Sequence, residues 1–332
     1  MPGRIVDAAL LALLGAALPL AGLGIGADLA SASSFPGRNG LIVVVKDWYV
    51  GGIPAGTRLF AVASDGSNGH WFSRDRHRPS GLPGGACQCR GFAGRWSPDG
   101  KRMLFTHLDR LWIADERDLQ QNEVVSAGCD ISRTDWSPDG SELVGIGDGS
   151  STTEAIEICR LDGYELRPIR RVFYGRNVSL DATPVWSPGA PEVAFVRAAS
   201  GETGAGHDQL LVVSADGHRR RAIATAASLL GLTWSPDGRR LAFLRCDAGA
   251  GTSLSVVDRN GSGLKKIVQL TKRKCIAGDT AWSPDGTRIA FVAGAGSGKG
   301  TLKIVAASGG RPNAILRNVD IAPFVSWQPR RP

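Results

Sequence analysis

The chain has 332 residues, of which 42 % are hydrophobic and 21 % charged, with 44 Gly and a formal net charge of +8. This balance excludes an intrinsically disordered chain, and abundant Gly without a collagen-like period points to many tight turns. With only 3 Tyr and no recognisable binding module, nucleic acid is not an expected partner.

Residues 1–34 read as a segment apart. Arg4 precedes an uncharged apolar run over 8–27, and Ala30-Ser31-Ala32 fits the small-x-small pattern of a cleavage site. This is the layout of a secretory signal peptide cut near Ala32. Because the run is about as long as the ~20 residues that span a bilayer, an uncleaved N-terminal anchor is the competing reading. Either way the body of the protein is expected outside the cytoplasm, periplasmic or secreted. Any membrane contact would come only through this segment. Cleavage would remove Arg4, Asp7 and Asp28 and raise the net charge by one. Much of the positive excess sits in short clusters: "RDRHR" at 74–78, "RRR" at 219–221 and "KRK" at 272–274.

Residues 35–332 are expected to form one domain. "LIVVVKD", "RLFAVASDG" and "HWFS" come first as three strands. Then "WSPDG" appears at 96–100 and returns at 136–140, 234–238 and 282–286, with altered copies "WSPGA" at 186 and "WQPRR" at 327. The six Trp (Trp96, Trp136, Trp186, Trp234, Trp282, Trp327) are spaced by 40, 50, 48, 48 and 45 residues. That period suits a four-stranded propeller blade of ~40–50 residues. After the Trp come apolar strands such as "KRMLFTH", "SELVGIG" and "RRLAFLR". Second strands such as "QLLVVSADG" follow, and then third strands such as "LKKIVQLT". Within the phrase, Pro fixes φ, Asp accepts the next turn position, Gly supplies φ > 0, and Ser hydrogen-bonds back to the turn. The Trp is suited to packing between sheets.

The first three strands lack a Trp-ended partner, and the C-terminus carries one such strand, "PFVSWQP", with nothing after it. The expected fold is therefore an all-β, six-bladed β-propeller of four-stranded antiparallel blades. The C-terminal strand pairs with the N-terminal blade and closes the ring, which removes an open sheet edge.

"FPGRNGLIVVV" followed by repeated "WSPDG" and an apolar strand resembles the TolB-like, WD-repeat-like β-propellers of exported bacterial proteins. The likeness runs over roughly residues 35–332. It implies a periplasmic or extracellular scaffold that binds protein partners. The family's named member carries an extra N-terminal α/β domain, for which these residues hold no counterpart.

Chemistry-bearing motifs are sparse. There is no G-x-S-x-G elbow, and the five His form no H-E-x-x-H or i, i+4 pair. "GAGSGKGT" at 294–301 lacks the spacing of a phosphate loop and is expected to lead into a strand. Asp99, Asp139, Asp237 and Asp285 read as turn-formers, one per blade, rather than calcium ligands. No metal and no cofactor is expected. The loops entering each Trp strand should ring the channel mouth. Aligned on Trp, they supply Arg90, Arg95, Asp130, Arg133, Asp135, Asp181 and Asp279 as candidate binding residues. The expected function is a monomeric, non-enzymatic exported scaffold for a protein partner. The alternatives are a carbohydrate-active propeller (a polysaccharide lyase or hydrolase) and a binder of anionic cell-wall polymer. Six Cys in an oxidising compartment suggest disulfides. Cys246 ends a strand on the side where Cys275 enters one, which pairs them. Cys129 is expected to bond Cys87 or Cys89, leaving Cys159 free.

Overall fold

The computed structural model describes residues 35–330, except 51–52, 72–93, 108–109, 117–120, 149–152, 177–178, 181–183, 199–206, 277, 294–298 and 321–324. The described residues are all-β and form six blades, in which strands a to d run from the axis outward. Blade 1 is built from Val325–Arg330 (a), Arg38–Val50 (b), Ile53–Val62 (c) and His70–Trp71 (d). Blade 2 is Arg95–Trp96, Arg102–His107, Arg110–Asp115 and Gln121–Glu123. Blade 3 is Ile131–Trp136, Glu142–Asp148, Thr153–Asp162 and Glu165–Arg176. Blade 4 is Val185–Trp186, Glu192–Ala198, Asp208–Ser214 and Arg220–Ala226. Blade 5 is Ser228–Trp234, Arg240–Asp247, Gly251–Asp258 and Lys265–Gln269, and blade 6 is Gly278–Trp282, Arg288–Ala293, Lys299–Ala306 and Asn313–Asp320. The ring closes as the sequence implies. The C-terminal strand pairs antiparallel with strand b of blade 1, in the register Ile42↔Trp327 and Val44↔Val325. Lys299 opens a strand, so Lys299, Gly300 and Thr301 belong to a blade, as expected.

The apolar runs are continuous because each blade is covered on both faces. Side chains alternate along a strand. In strand b of blade 1, Ile42 and Val44 pack against blade 6 while Val43 packs against blade 2. Six core clusters result, one at each seam between neighbouring blades. All six repeat Trp are buried, none more than 5 % exposed.

The repeated phrase is a small hydrogen-bonded machine. Ser97, Ser137, Ser235 and Ser283 each donate Oγ–H to the Asp two residues on. Each Ser Oγ also accepts the N–H five residues ahead, at Arg102, Glu142, Arg240 and Arg288. Each Asp then accepts the N–H two residues after it. Partial burial opposes these charges. The Ser hydroxyl and the N–H outweigh it, so all four carboxyls titrate below their ordinary value. The four Asp are thus turn-formers. Gly100 shows why the last letter is Gly: its φ is +68°, and a Cβ there would lie 1.9 Å from the Pro329 carbonyl oxygen of blade 1.

The first residue of strand b often caps the next blade's Trp. Arg102 lies 4.9 Å from the Trp136 ring centroid, Arg240 5.1 Å from Trp282, and Arg288 5.4 Å from Trp327. Each such contact contributes about 0.5–1 kcal/mol.

Two disulfides are present among the described residues. Cys246–Cys275 joins the end of strand b of blade 5 to the segment entering blade 6, as expected. The other expectation is overturned: Cys129 bonds Cys159, with Cα atoms 6.4 Å apart, and neither Cys87 nor Cys89 takes part in that bond. Cys159 is therefore not free. The reason is the path of the connector. To reach the axis, the chain leaving blade 2 crosses blade 3. Val125–Ser126 pairs in parallel with Glu165 and Leu166 of the outer strand, and Cys129 then reaches Cys159 on strand c. Cys87 and Cys89 themselves lie outside the described residues.

Candidate functional site

The residue before each Trp faces the propeller axis, so six blades contribute a ring of six: Arg95, Asp135, Val185, Thr233, Ala281 and Ser326. With Trp96, Trp234, Trp282 and Trp327 they line a cavity of about 30 Å³, room for one or two water molecules. Phe35, 3 % exposed, contributes to the same lining, and the chain just beyond it is held on the turn face by a hydrogen bond from the Gly37 N–H to the Pro284 carbonyl.

Several polar groups at and beside this cavity tie one blade to the next. Asp135 Oδ2 of blade 3 accepts the Trp186 N–H of blade 4 at 3.0 Å. Asp279 Oδ2 of blade 6 accepts the Val325 N–H of blade 1 at 2.8 Å. Ser326 Oγ of blade 1 accepts the Trp96 N–H of blade 2 at 3.2 Å. The Trp136 and Trp234 indoles donate to the carbonyls of Arg95 and Val185 in the preceding blades, at 3.1 and 3.2 Å. The Thr280 hydroxyl donates to the Gly231 carbonyl.

The two carboxylates share one cation. Burial pushes both Asp135 and Asp279 above the ordinary Asp value, and the Arg95 charge is the largest influence pulling each back down, ahead of the backbone N–H donors. The Arg95 Nε itself is buried with no hydrogen-bond partner. The Arg95 charge thus acts on two buried carboxyl groups at once, against the burial that pushes both up.

Of the seven candidate residues, the structure brings Arg95, Asp135 and Asp279 together. Asp130 and Arg133 are exposed on the segment entering blade 3 and do not line the cavity, and Arg133 adopts φ +48°. Arg90 and Asp181 lie outside the described residues.

One charged site escaped the sequence reading. Glu192 opens strand b of blade 4, just after the altered "WSPGAP" turn, and its side chain is 8 % exposed. Arg221 grips both its oxygens at 3.0 and 2.9 Å, and Arg259 of blade 5 adds a bond at 2.7 Å. Burial would raise the Glu192 carboxyl, but the hydrogen bonds from Arg259 and Arg221 win and lower it to about 2. The signal available in the sequence was the missing Asp at that turn, which marks the blade as needing another closure.

Glu192→Gln is expected to cost about 2 kcal/mol at neutral pH, the scale of charge-assisted hydrogen bonds discounted for the part-exposed arginines. The folded-state pKa lies below the ordinary 4.5, so this stability is present above that value and is lost as pH falls toward about 2. Urea titrations of both proteins should show a gap at pH 7 that closes through this acid window. A gap that does not change with pH would remove the ion network as its cause.

This arrangement can be set beside known structures. No family model and no curated protein matches the chain. TolB from Acinetobacter baumannii superposes with a TM-score of 0.64 at 14 % identity, covering 90 % of this chain and 69 % of that one. The fold is a TolB-like propeller. The TolB-designated protein of Agrobacterium tumefaciens gives 0.57 at 14 % identity, over 87 % of this chain and 98 % of that one. An oligogalacturonate lyase in complex with manganese gives 0.53 at 15 % identity, over 85 % of each chain. At these identities the likeness to TolB and to the lyase is one of fold, and fold alone hosts both scaffolds and enzymes. The two disulfides of this TolB-like propeller fit an oxidising compartment. Among the described residues no helix is long and apolar enough to cross a membrane.

Proposed function

We propose that the chain is an exported, non-catalytic propeller scaffold that binds a protein partner on its surface. The observation that carries this reading is the engagement of the channel carboxylates. Asp135 and Asp279 are buried and accept N–H groups of the following blades, so they serve ring closure. The cavity beside them, about 30 Å³, is far below the ~300–1,000 Å³ of small-molecule sites. A sugar residue has no room there, and an acid or base locked to backbone donors is poorly placed to move a proton. Binding is left to the outer faces, where propellers offer broad, rigid surface.

The test is a direct comparison. The purified protein is used to capture partners from an envelope extract, and any captured protein is titrated against it in solution. In parallel it is incubated with oligogalacturonate and manganese, and unsaturated products are sought. A saturable one-to-one protein complex without product release supports the scaffold. Release of unsaturated uronates, or no protein capture at all, overturns it.

A further inference from the structure

A second cavity, of about 140 Å³, lies away from the axis where blade 5 meets blade 6. Leu230, Leu244, Ile276 and the Cys246–Cys275 disulfide line it, with Ser228 among its polar contributors. Its volume suits one or two aliphatic side chains rather than a cofactor. It opens on the end of the blades where the connectors cross toward the axis, and directly before Cys275 the chain carries Lys272, Arg273 and Lys274, all exposed.

This basic loop is held rigidly. The Thr252 hydroxyl donates to the Lys274 carbonyl at 3.1 Å and accepts the Ile276 N–H at 3.0 Å. The Thr252 N–H donates to Thr271 Oγ1 at 2.9 Å, and Thr271 Oγ1 donates to the Lys274 carbonyl. Gln269 Nε2 donates to the Thr271 carbonyl at 2.6 Å. The disulfide then pins the end of the loop to strand b of blade 5. The nearest acid on that strand, Asp247, is already paired with Arg245 at 2.8 Å. No ion pair to Lys272, Arg273 or Lys274 occurs among the described residues.

Three uncompensated cations on a stapled loop, beside a small apolar cavity, are complementary to one kind of ligand. We infer that this cleft is a docking site for an acidic peptide segment of a partner protein, one that inserts an apolar side chain into the cavity and sets its carboxylates against Lys272, Arg273 and Lys274. The inference rests on the scaffold reading and gives it a site and a partner chemistry. The loop is fixed before binding, so little ordering entropy opposes docking. The charges set steering and orientation, and the cavity supplies the anchor.

The experiment pans a random short-peptide display library against the immobilised protein and titrates the selected peptides in solution. Selected peptides should be acidic and carry an aliphatic residue. Their binding should fall about tenfold or more in the K272E/R273E/K274E variant and in Ser228→Phe, which fills the cavity. Both variants should keep the wild-type melting temperature. Ile276→Asp, at the cavity, is the second blocking variant in case Ser228→Phe does not fold, and it should weaken the same peptides. Selected peptides that lack acidic residues, or that bind both kinds of variant as tightly as wild type, overturn the site while leaving the scaffold reading intact. Inorganic polyphosphate that binds wild type and Ser228→Phe equally, with no peptide selected, overturns it in favour of a general polyanion surface. A partner captured from the envelope that is still held by the charge-reversed variant also overturns the site, and not the scaffold.

Discussion

Replacing Arg95 with Met is expected to destabilise the protein by about 3 kcal/mol at neutral pH, because it leaves two buried carboxylates without their cation. Asp135 and Asp279 already sit above the ordinary value of 3.8 on account of burial, and the Arg95 charge is what restrains them. Without it, both carboxyls rise further. A folded-state pKa raised above the unfolded one contributes stability that is complete below the unfolded value and is lost as pH rises through the folded value. The variant should therefore lie closest to wild type in acid, near the ordinary carboxyl value, and fall away from it toward neutrality. The gap thus widens from acid toward neutrality, as for Glu192→Gln, but from the opposite cause: there a carboxyl held low loses its ion pair, here two carboxyls held high are pushed higher. Adding Asp135→Asn to Arg95→Met should recover about 1 kcal/mol at pH 7, since one uncompensated charge is gone. Guanidinium titrations of the three proteins across pH give the answer. An Arg95→Met protein as stable as wild type at every pH would show that the channel charges are solvated rather than mutually balanced.

Trp136→Ala should cost about 4 kcal/mol, the scale for emptying a fully buried aromatic site, and lower the melting temperature by on the order of 10 °C. Trp136 is 0 % exposed and packs in the cluster between blades 2 and 3. It also donates to the Arg95 carbonyl and carries the Arg102 guanidinium over its ring. Trp136→Phe separates these contributions. It keeps an aromatic ring for the cluster and the cation but removes the Nε1–H, so it should lose roughly 1 kcal/mol plus the cost of the smaller ring. Calorimetry on both variants tests the order. If Trp136→Phe were as damaging as Trp136→Ala, the indole hydrogen bond and not the packing would hold the seam.

The architecture was legible because its signals are local. A turn that needs Ser, Pro, Asp and Gly within five residues prints itself in the sequence wherever it occurs, and the Trp before it marks the strand. The count of those strands, and the orphan strand at the C-terminus, fixed both the blade number and the closure through Ile42↔Trp327. Alignment on the Trp also singled out Arg95 and Asp135, since both occupy the slot before it. It could not reveal that Asp135 reaches Trp186 and Asp279 reaches Val325, because each bond runs to a different blade, 51 and 46 residues away. The Cys129–Cys159 bond was misread for a related reason. Strand position suggested an isolated Cys159, while the pairing depends on where the connector crosses blade 3.

The sequence by itself determined the repeat, its turn chemistry, the number of blades and the Cys246–Cys275 pairing. Each of these depends on residues within one strand or turn, or on two adjacent strand ends. Only the tertiary structure decided which charges became structural and which stayed free. Closing the ring buried Asp135, Asp279 and Glu192 beside donors from other blades, and it left Lys272, Arg273 and Lys274 exposed next to an apolar cleft. Desolvation and the distance to the nearest opposite charge set those outcomes, and both are properties of the assembled ring rather than of any single blade.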